Sequence, residues 1–153
     1  MDPTAFLTDL EAVPAALRAV VPSIGSTWTD VGRPPRLVLT GMGSSMFAAS
    51  VAAARLRAAG IDATAVLASS DLLPSVDSTD LVVVISAGGS SVETRAAAEH
   101  YRGRARTVLL TNTADSPLAA LVDDVRPMDA GVETGGVACR SFRHTLVRLL
   151  ELQ

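Results

Sequence analysis

The sequence predicts an α/β fold: a three-layer αβα sandwich built on a parallel sheet. Short runs rich in β-branched residues alternate along the chain with longer runs of helical periodicity, as in repeated β-strand, α-helix, β-strand units. One run, Leu81–Ile85, is apolar at every position, which is typical of a central parallel strand covered on both faces by helices. At 153 residues the chain has the length of about one domain.

Residues 1–35 are expected to form a helical segment and a loop ahead of that domain. Apolar residues recur at spacings of three and four between residues 4 and 21, which predicts an amphipathic helix. Pro14 lies inside this pattern and predicts either a kink or the start of a second helix, because proline lacks an amide hydrogen and fixes its own φ. Residues 23–35, rich in Gly, Ser, Thr and Pro, indicate a loop, and residues 36–153 indicate one domain.

Five strands and two longer helices are predicted after that loop. A helix over residues 44–59 would carry Phe47, Val51, Ala54 and Ala58 on one face, and Gly60 is placed to end it. The predicted strands lie at residues 37–40, 63–67, 81–85, 107–111 and 124–128.

The closing helix is predicted over residues 138–152. Its apolar residues fall on one side and its polar residues on the other, so the polar side is expected to face solvent. The apolar residues are Phe142, Leu146, Leu149 and Leu150, and the polar ones are Arg140, His144, Arg148 and Glu151.

Composition excludes several function classes. All 13 basic residues are arginines, so the chain can form no lysine Schiff base, anchor no pyridoxal phosphate through lysine, and build no Walker-type phosphate loop. Sixteen acidic residues give a net charge of −3, which disfavours nucleic acid as a partner. Cys139 is the only cysteine, which rules out an intrachain disulfide and a cysteine zinc cluster, and we expect no metal and no cofactor.

The expected location is the cytoplasm. The amino terminus lacks the basic start and apolar run of a secretion signal. No uncharged apolar stretch approaches the roughly 18 residues that would suggest a membrane span, so a membrane is not an expected partner.

Two turns rich in glycine and serine follow strands of the predicted sheet, at residues 41–45 and 86–91. Ligands of open parallel sheets bind beyond the carboxyl ends of the strands. Glycine lets backbone amides approach an anion closely, serine donates hydrogen bonds, and the following helix directs its free amides at the same place. These turns therefore predict a phosphate-binding site, although tight turns without a ligand use the same residue types.

Ser90 and Glu93 have the three-residue spacing of a capping box, which would start the following helix without any ligand. We therefore expect Ser90 to cap that helix and Ser86 and Ser91 to face the phosphate. A dinucleotide-binding fingerprint is disfavoured, because Met46 stands where its third glycine would be.

Five short motifs occur in a fixed order on these predicted elements. They are Gly-x-Gly-Ser-Ser at residues 41–45, Ala-Ser at 68–69, Ile-Ser at 85–86, Thr-Asn with a downstream Ser-x-Leu-Ala at 111–119, and Ala-Gly-x-Glu-x-Gly at 130–135. In this combination the chain resembles the sugar isomerase (SIS) domain family of phosphosugar-binding proteins, over about residues 36–150. The resemblance implies a flavodoxin-like strand order of 2-1-3-4-5. This order places the turn after the first strand (residues 41–45, the first turn) and the turn after the third strand (residues 86–91, the third turn) on either side of the switch point.

The resemblance also implies a site for a phosphorylated sugar. Where many members read Ser-Gln-Ser-Gly-Glu-Thr, residues 86–91 read Ser-Ala-Gly-Gly-Ser-Ser, so backbone amides would replace two side-chain donors. The implied phosphate-binding residues are Ser86, Gly88, Gly89 and Ser91, and the implied sugar-binding residues are Gly43, Ser44, Ser45 and Arg140.

Catalysis has two candidate residues. Glu133 could be the base that moves a proton between sugar carbons, against a role in fixing its loop, and His144 could open the ring or shuttle protons, against a solvated position. Members that share the Ala-Gly-x-Glu segment usually carry two such domains. The resemblance therefore implies that this chain is one half of such a protein, and that it forms a homodimer or pairs with a second SIS domain.

Two functions remain open on the sequence. The first is a phosphosugar-binding domain in carbohydrate-derivative metabolism, within an isomerase of aldose and ketose phosphates or of amino-sugar phosphates. The second is a non-catalytic module that senses a sugar phosphate. The two differ in whether a bound sugar exchanges its C2 proton with solvent.

Overall fold

A computed structural model describes residues 2–153 and contains the predicted parallel sheet. Its five strands lie in the order β2-β1-β3-β4-β5, and all neighbouring pairs are parallel. The predicted strand order is thereby confirmed. The strands are β1 (Leu37–Gly41), β2 (Ala63–Leu67), β3 (Leu81–Ile85), β4 (Arg106–Thr111) and β5 (Asp124–Pro127).

Helices cover both faces of the sheet, because parallel neighbours must be joined by crossover connections. Pro14 lies in the first turn of the second helix, so the pattern over residues 4–21 is two helices rather than one kinked helix. Across residues 2–153 the α-helices are α1 (Pro3–Glu11), α2 (Val13–Val20), α3 (Gly43–Ala58), α4 (Val92–Tyr101) and α5 (Arg140–Leu150).

Within residues 2–153 two apolar clusters form the core, one on each side of the sheet. In β1, Leu37 and Leu39 join the cluster that contains residues of α3 and α5, whereas Val38 joins the cluster with α4. Every position of β1 and of β3 is buried, as predicted for Leu81–Ile85. Burying one such aliphatic side chain contributes about 1.5–3 kcal/mol, so the central strands anchor the fold.

The buried face of α3 differs from the predicted one. Phe47 is 73% exposed and Val51 is 47% exposed. The side that packs on the sheet and on α5 is made of alanines and one leucine, because small side chains let the helix approach both neighbours closely. These buried residues are Ala48, Ala49, Ala52, Ala53 and Leu56.

The polar side of α5 is buried, which also contradicts the prediction. Arg148 is only 1% exposed, and its guanidinium donates to the carboxylates of Asp129 and Glu151 and to the hydroxyl of Thr27. A buried charge is tolerated when acceptors surround it. Thr27 lies 121 residues before Arg148, so helical periodicity could not reveal this environment.

Candidate functional site

The turns after β1 and β3 lie side by side at the carboxyl edge of the sheet. Gly41, the last residue of β1, is the register partner of Ile85, the last residue of β3. A β-carbon at Gly41 would lie 2.9 Å from the Ile85 carbonyl oxygen and 2.9 Å from the Ser45 β-carbon. Glycine is therefore required for the first turn to fold back against its neighbour.

The first turn leads into a helix end that no side chain caps. Met42 occupies the N-cap position of α3, and Gly43 follows with a φ of 51°. Ser45 donates its amide to the Met42 carbonyl at 3.0 Å, whereas within residues 2–153 the amides of Gly43 and Ser44 have no hydrogen-bond acceptor. This end of α3 can therefore donate to an anion or to water.

The third turn, residues 86–91, is compact and is buttressed from the β4 side. The Ser86 carbonyl accepts the Gly89 amide at 3.2 Å. Gly89 has a φ of 63°, and a β-carbon there would lie 2.1 Å from the Ser116 hydroxyl oxygen. Ser116 is 6% exposed, and its hydroxyl has no partner in the described part of the chain. Glycine at position 89 thus lets the segment after β4 pack directly against the turn.

Ser91, and not Ser90, caps α4. The Ser91 hydroxyl accepts the Thr94 amide at 3.2 Å and donates to the Glu93 carboxylate at 3.0 Å. The Glu93 backbone amide and the Ser91 hydroxyl hold the pKa of the Glu93 carboxyl below its usual value. The capping-box interpretation was wrong by one residue, because two adjacent serines precede the helix and Ser91 alone reaches the third helical amide.

A cavity of about 380 Å³ opens at the carboxyl ends of β3, β4 and β5. Its walls are formed by Ala87 and Gly88 of the third turn, by Asn112 and Thr113 after β4, and by the loop from residue 131 to 138. This volume lies within the range of about 300–1,000 Å³ that is usual for small-ligand sites. We call this space the edge cavity and residues 131–138 the wall loop.

Glu133, in the wall loop, caps the start of α5. One carboxylate oxygen accepts the amides of Cys139 at 2.6 Å and of Arg140 at 2.5 Å. The other accepts the Ser141 amide at 3.2 Å and the Ser141 hydroxyl. Glu133 therefore satisfies helix-end amides that would otherwise be unpaired, which is the structural alternative considered from the sequence.

Arg140 is held by the chain itself. Its Nη2 group donates to the Asp9 carboxylate at 2.8 Å and to the Val132 carbonyl. Asp9 is 4% exposed, and sequence reasoning missed it, because it belongs to α1 and meets residues about 125 positions later. The Gly135 amide foremost, together with the Thr134 amide and Arg140, lowers the pKa of the Asp9 carboxyl against the opposing effect of its burial.

His144 is buried, so its predicted solvated position is wrong. Its Nδ1 lies 3.1 Å from the Met128 carbonyl oxygen and therefore acts as the donor, while Nε2 has no partner within residues 2–153. Burial is the main cause that lowers the pKa of the imidazole. Ser141, one turn earlier on α5, lines the edge cavity, whereas His144 does not.

The predicted site residues gather at one edge of the sheet but not in one cavity. Gly88 and Glu133 line the edge cavity. Gly89 and Ser91 line a neighbouring cavity of about 280 Å³. Cys139, at the start of α5, is buried, with 3% of its surface exposed.

Between positions 2 and 153, no three side chains of His, Cys, Asp or Glu are grouped as metal ligands would be. None of the helices over the same range combines the length and the hydrophobicity needed to cross a membrane.

Comparison with known proteins gives consistent matches. Residues 33–150 match the family model described as the SIS domain. A curated glutamine–fructose-6-phosphate aminotransferase (isomerizing) of Aeropyrum pernix is 36% identical over 111 residues, which are 70% of this chain and 18% of that protein. The chain therefore spans less than one fifth of this curated relative.

Solved structures share the fold at lower identity. The C-terminal domain of glucosamine-fructose-6-phosphate aminotransferase from Francisella tularensis has a TM-score of 0.82 at 20% identity, and the match covers 96% of this chain and 45% of that one. A protein of Escherichia coli CFT073, solved in complex with A5P, has a TM-score of 0.81 at 20% identity, with coverage of 99% and 89%.

Proposed function

This chain belongs to the SIS domain family, and from that membership we propose that it binds a phosphorylated sugar at the carboxyl edge of its sheet. The observation that carries the proposal is the set of unfilled donors on the third turn. Across residues 2–153, neither the Ser86 hydroxyl nor the amides of Gly88, Ser90 and Ser91 have a hydrogen-bond acceptor. Donors of this kind at a helix start match the acceptor oxygens of a phosphate.

We propose that the third turn holds the phosphate and that the sugar contacts the structures on either side of this turn. On one side lies the uncapped start of α3 with Gly43, Ser44 and Ser45. On the other side Gly88 borders the edge cavity, which has room for a sugar ring. Ser91 would add its hydroxyl only by giving up the α4 cap, so we assign the main hydroxyl contact to Ser86.

A binding role fits the contacts better than acid–base catalysis by this chain alone. The Glu133 carboxylate accepts the amides at the start of α5, and His144 is buried against Met128. Glu133 would have to leave these amides, and His144 would have to become accessible, before either could exchange a proton with a bound sugar. The same two observations support the alternative function, a non-catalytic sugar-phosphate sensor.

The names of the relatives support a wider setting for this binding. We propose that the ligand is an aldose, ketose or amino-sugar phosphate, and that the domain serves isomerisation in carbohydrate-derivative metabolism. A second SIS domain, either a copy of this chain or a separate one, is the partner proposed for that reaction.

The first test is thermal unfolding in the presence of sugars. We expect glucosamine 6-phosphate, fructose 6-phosphate or another sugar phosphate to raise the melting temperature, and the corresponding free sugars to leave it unchanged, because only a ligand of the folded state stabilises it. The substitution Ser86→Ala removes one hydrogen bond to a charged group and should weaken binding about tenfold, or about 1.4 kcal/mol.

Ser78→Ala is the matched control for that substitution. Ser78 lies just before β3, at the opposite edge of the sheet, and its replacement should leave the affinity unchanged. A failure of every sugar phosphate to stabilise the protein, or equal stabilisation by free sugars, would contradict the proposal. Exchange of a C1 proton of bound fructose 6-phosphate, or of the C2 proton of bound glucosamine 6-phosphate, with deuterium oxide would favour an isomerase over a sensor.

A further inference from the structure

We infer that Asp9 is a positioning residue for the proposed site: from α1, its carboxylate holds the wall loop of the edge cavity in place. The inference rests on the proposed function, because it concerns the same cavity. Asp9 does not line that cavity, so it would act on a ligand only through the loop.

Three donors converge on the Asp9 carboxylate. One oxygen accepts the amides of Thr134 at 2.8 Å and of Gly135 at 2.7 Å. The other accepts Nη2 of Arg140 at 2.8 Å. Because the carboxylate is 4% exposed and charged, these bonds are stronger than exposed or neutral ones. One side chain of α1 thus fixes both the wall loop and the first residue of α5.

The backbones of α1 and the wall loop are also in direct contact. A β-carbon at Gly135 would lie 2.4 Å from the Phe6 α-carbon and 2.6 Å from the Phe6 amide nitrogen. Any side chain at position 135 would therefore push α1 away from the loop. This contact does not depend on charge, so it provides a second way to disturb the same arrangement.

The two anchored residues lie between residues that form the cavity wall. Thr134 and Gly135 lie between Glu133 and Gly136, both of which line the edge cavity. If the two amides lost their acceptor, the loop on either side of them would shift with them. A site that loses its support in this way holds its ligand less well, even when every contacting residue is present.

A purely structural role for Asp9 makes a different prediction. In that case its removal would lower the melting temperature and leave the affinity for a sugar phosphate unchanged. A second carboxylate separates the two possibilities. Asp123 accepts the Thr107 amide at 2.7 Å and the Thr107 hydroxyl at 2.8 Å, at the amino end of β4, opposite the edge cavity.

The experiment compares the full chain with the variants Asp9→Asn, Gly135→Ala and Asp123→Asn. The melting temperature and the dissociation constant for glucosamine 6-phosphate and for fructose 6-phosphate are measured by differential scanning and isothermal titration calorimetry at pH 7. We expect Asp9→Asn to weaken binding at least about tenfold, or about 1.4 kcal/mol. Gly135→Ala should act in the same direction, and Asp123→Asn should lower the melting temperature without changing the affinity.

Two outcomes would overturn the inference in distinguishable ways. If the unmodified chain binds a sugar phosphate and Asp9→Asn binds it equally well, the positioning role is refuted while the proposed function stands. If the unmodified chain binds neither these two compounds nor any other sugar phosphate, the proposed function fails, and the inference fails with it. Should Asp9→Asn not fold, Gly135→Ala decides whether the packing of α1 on the wall loop controls the affinity, because it separates the two without changing any charge.

Discussion

The turn from β5 to α5 and the turn from β3 to α4 are both rich in glycine, but only the first is filled by the chain's own carboxylates. Between residues 131 and 141, Asp9 and Glu133 accept the amides of the loop and of the helix start. Between residues 86 and 91 the free amides meet no carboxylate of residues 2–153, and the Glu93 carboxylate accepts from the Ser91 hydroxyl. Glycine content alone therefore does not mark an anion site; unfilled donors do.

The largest expected effect comes from removing a carboxylate from the turn between β5 and α5. The substitution Glu133→Ala leaves the amides of Cys139 and Arg140 without their acceptor and removes the partner of Ser141. Loss of a charged acceptor and of a helix cap should lower the free energy of unfolding by about 3 kcal/mol. Urea denaturation at pH 7, followed by circular dichroism, measures this loss.

Glu133→Gln is the matched variant, since it keeps one carbonyl oxygen for the helix amides and should cost less than Glu133→Ala. A second outcome would contradict the capping role of Glu133. If Glu133→Ala left stability within about 0.5 kcal/mol of the unmodified chain but abolished exchange of the sugar C2 proton, Glu133 would be the base rather than a cap.

A smaller effect is expected in the turn between β3 and α4, where a single serine caps α4. Ser91→Ala should lower the free energy of unfolding by about 1 kcal/mol, because the Thr94 amide loses its acceptor. Ser90→Ala, at the neighbouring serine, should change it by less than about 0.5 kcal/mol. The same urea titrations measure both variants. A larger loss for Ser90→Ala than for Ser91→Ala would return the cap to Ser90.

Local patterns were sufficient for the strands and for the turns that follow them. The all-apolar run Leu81–Ile85 is a central strand with every position buried, and the turns at residues 41–45 and 86–91 follow adjacent strands. Both signals come from neighbouring residues: a strand buried on two faces must be apolar throughout, and a tight turn needs glycine. The strand order required the family resemblance, because the pattern does not specify which strands pair.

Contacts between distant parts of the chain explain what the sequence did not reveal. Helical periodicity predicts that Arg148 is on the surface, but Thr27 and Asp129 bind its guanidinium in the fold. Asp9 has no role that the sequence shows, because its partners lie in the distant wall loop. Phe47 shows the opposite case, an apolar residue that is exposed. The face of α3 that packs on the sheet consists mainly of alanines, because their small size lets the helix lie close to the strands.

The smallest expected effect concerns His144, on the buried side of α5. Burial, assisted by Arg148 and Arg140 and opposed by the Met128 carbonyl and Asp129, places the pKa of this imidazole below its usual value. The unfolded chain takes up a proton as the pH falls below about 6.5, whereas the folded chain does not until its own lower pKa is reached. Stability is therefore full above pH 6.5 and declines as the pH falls from there through the folded pKa.

The substitution His144→Asn isolates this contribution. The asparagine amide can still donate to the Met128 carbonyl, as Nδ1 does at 3.1 Å, but it does not titrate. Urea denaturation at pH 7, 6 and 5 should show the unmodified chain losing more stability than the variant on acidification, since carboxylates contribute equally to both. Parallel curves would mean that the imidazole is protonated as easily in the folded chain as in water. His144 would then be accessible to solvent in the folded chain, and proton transfer from it to a ligand would again be a candidate function.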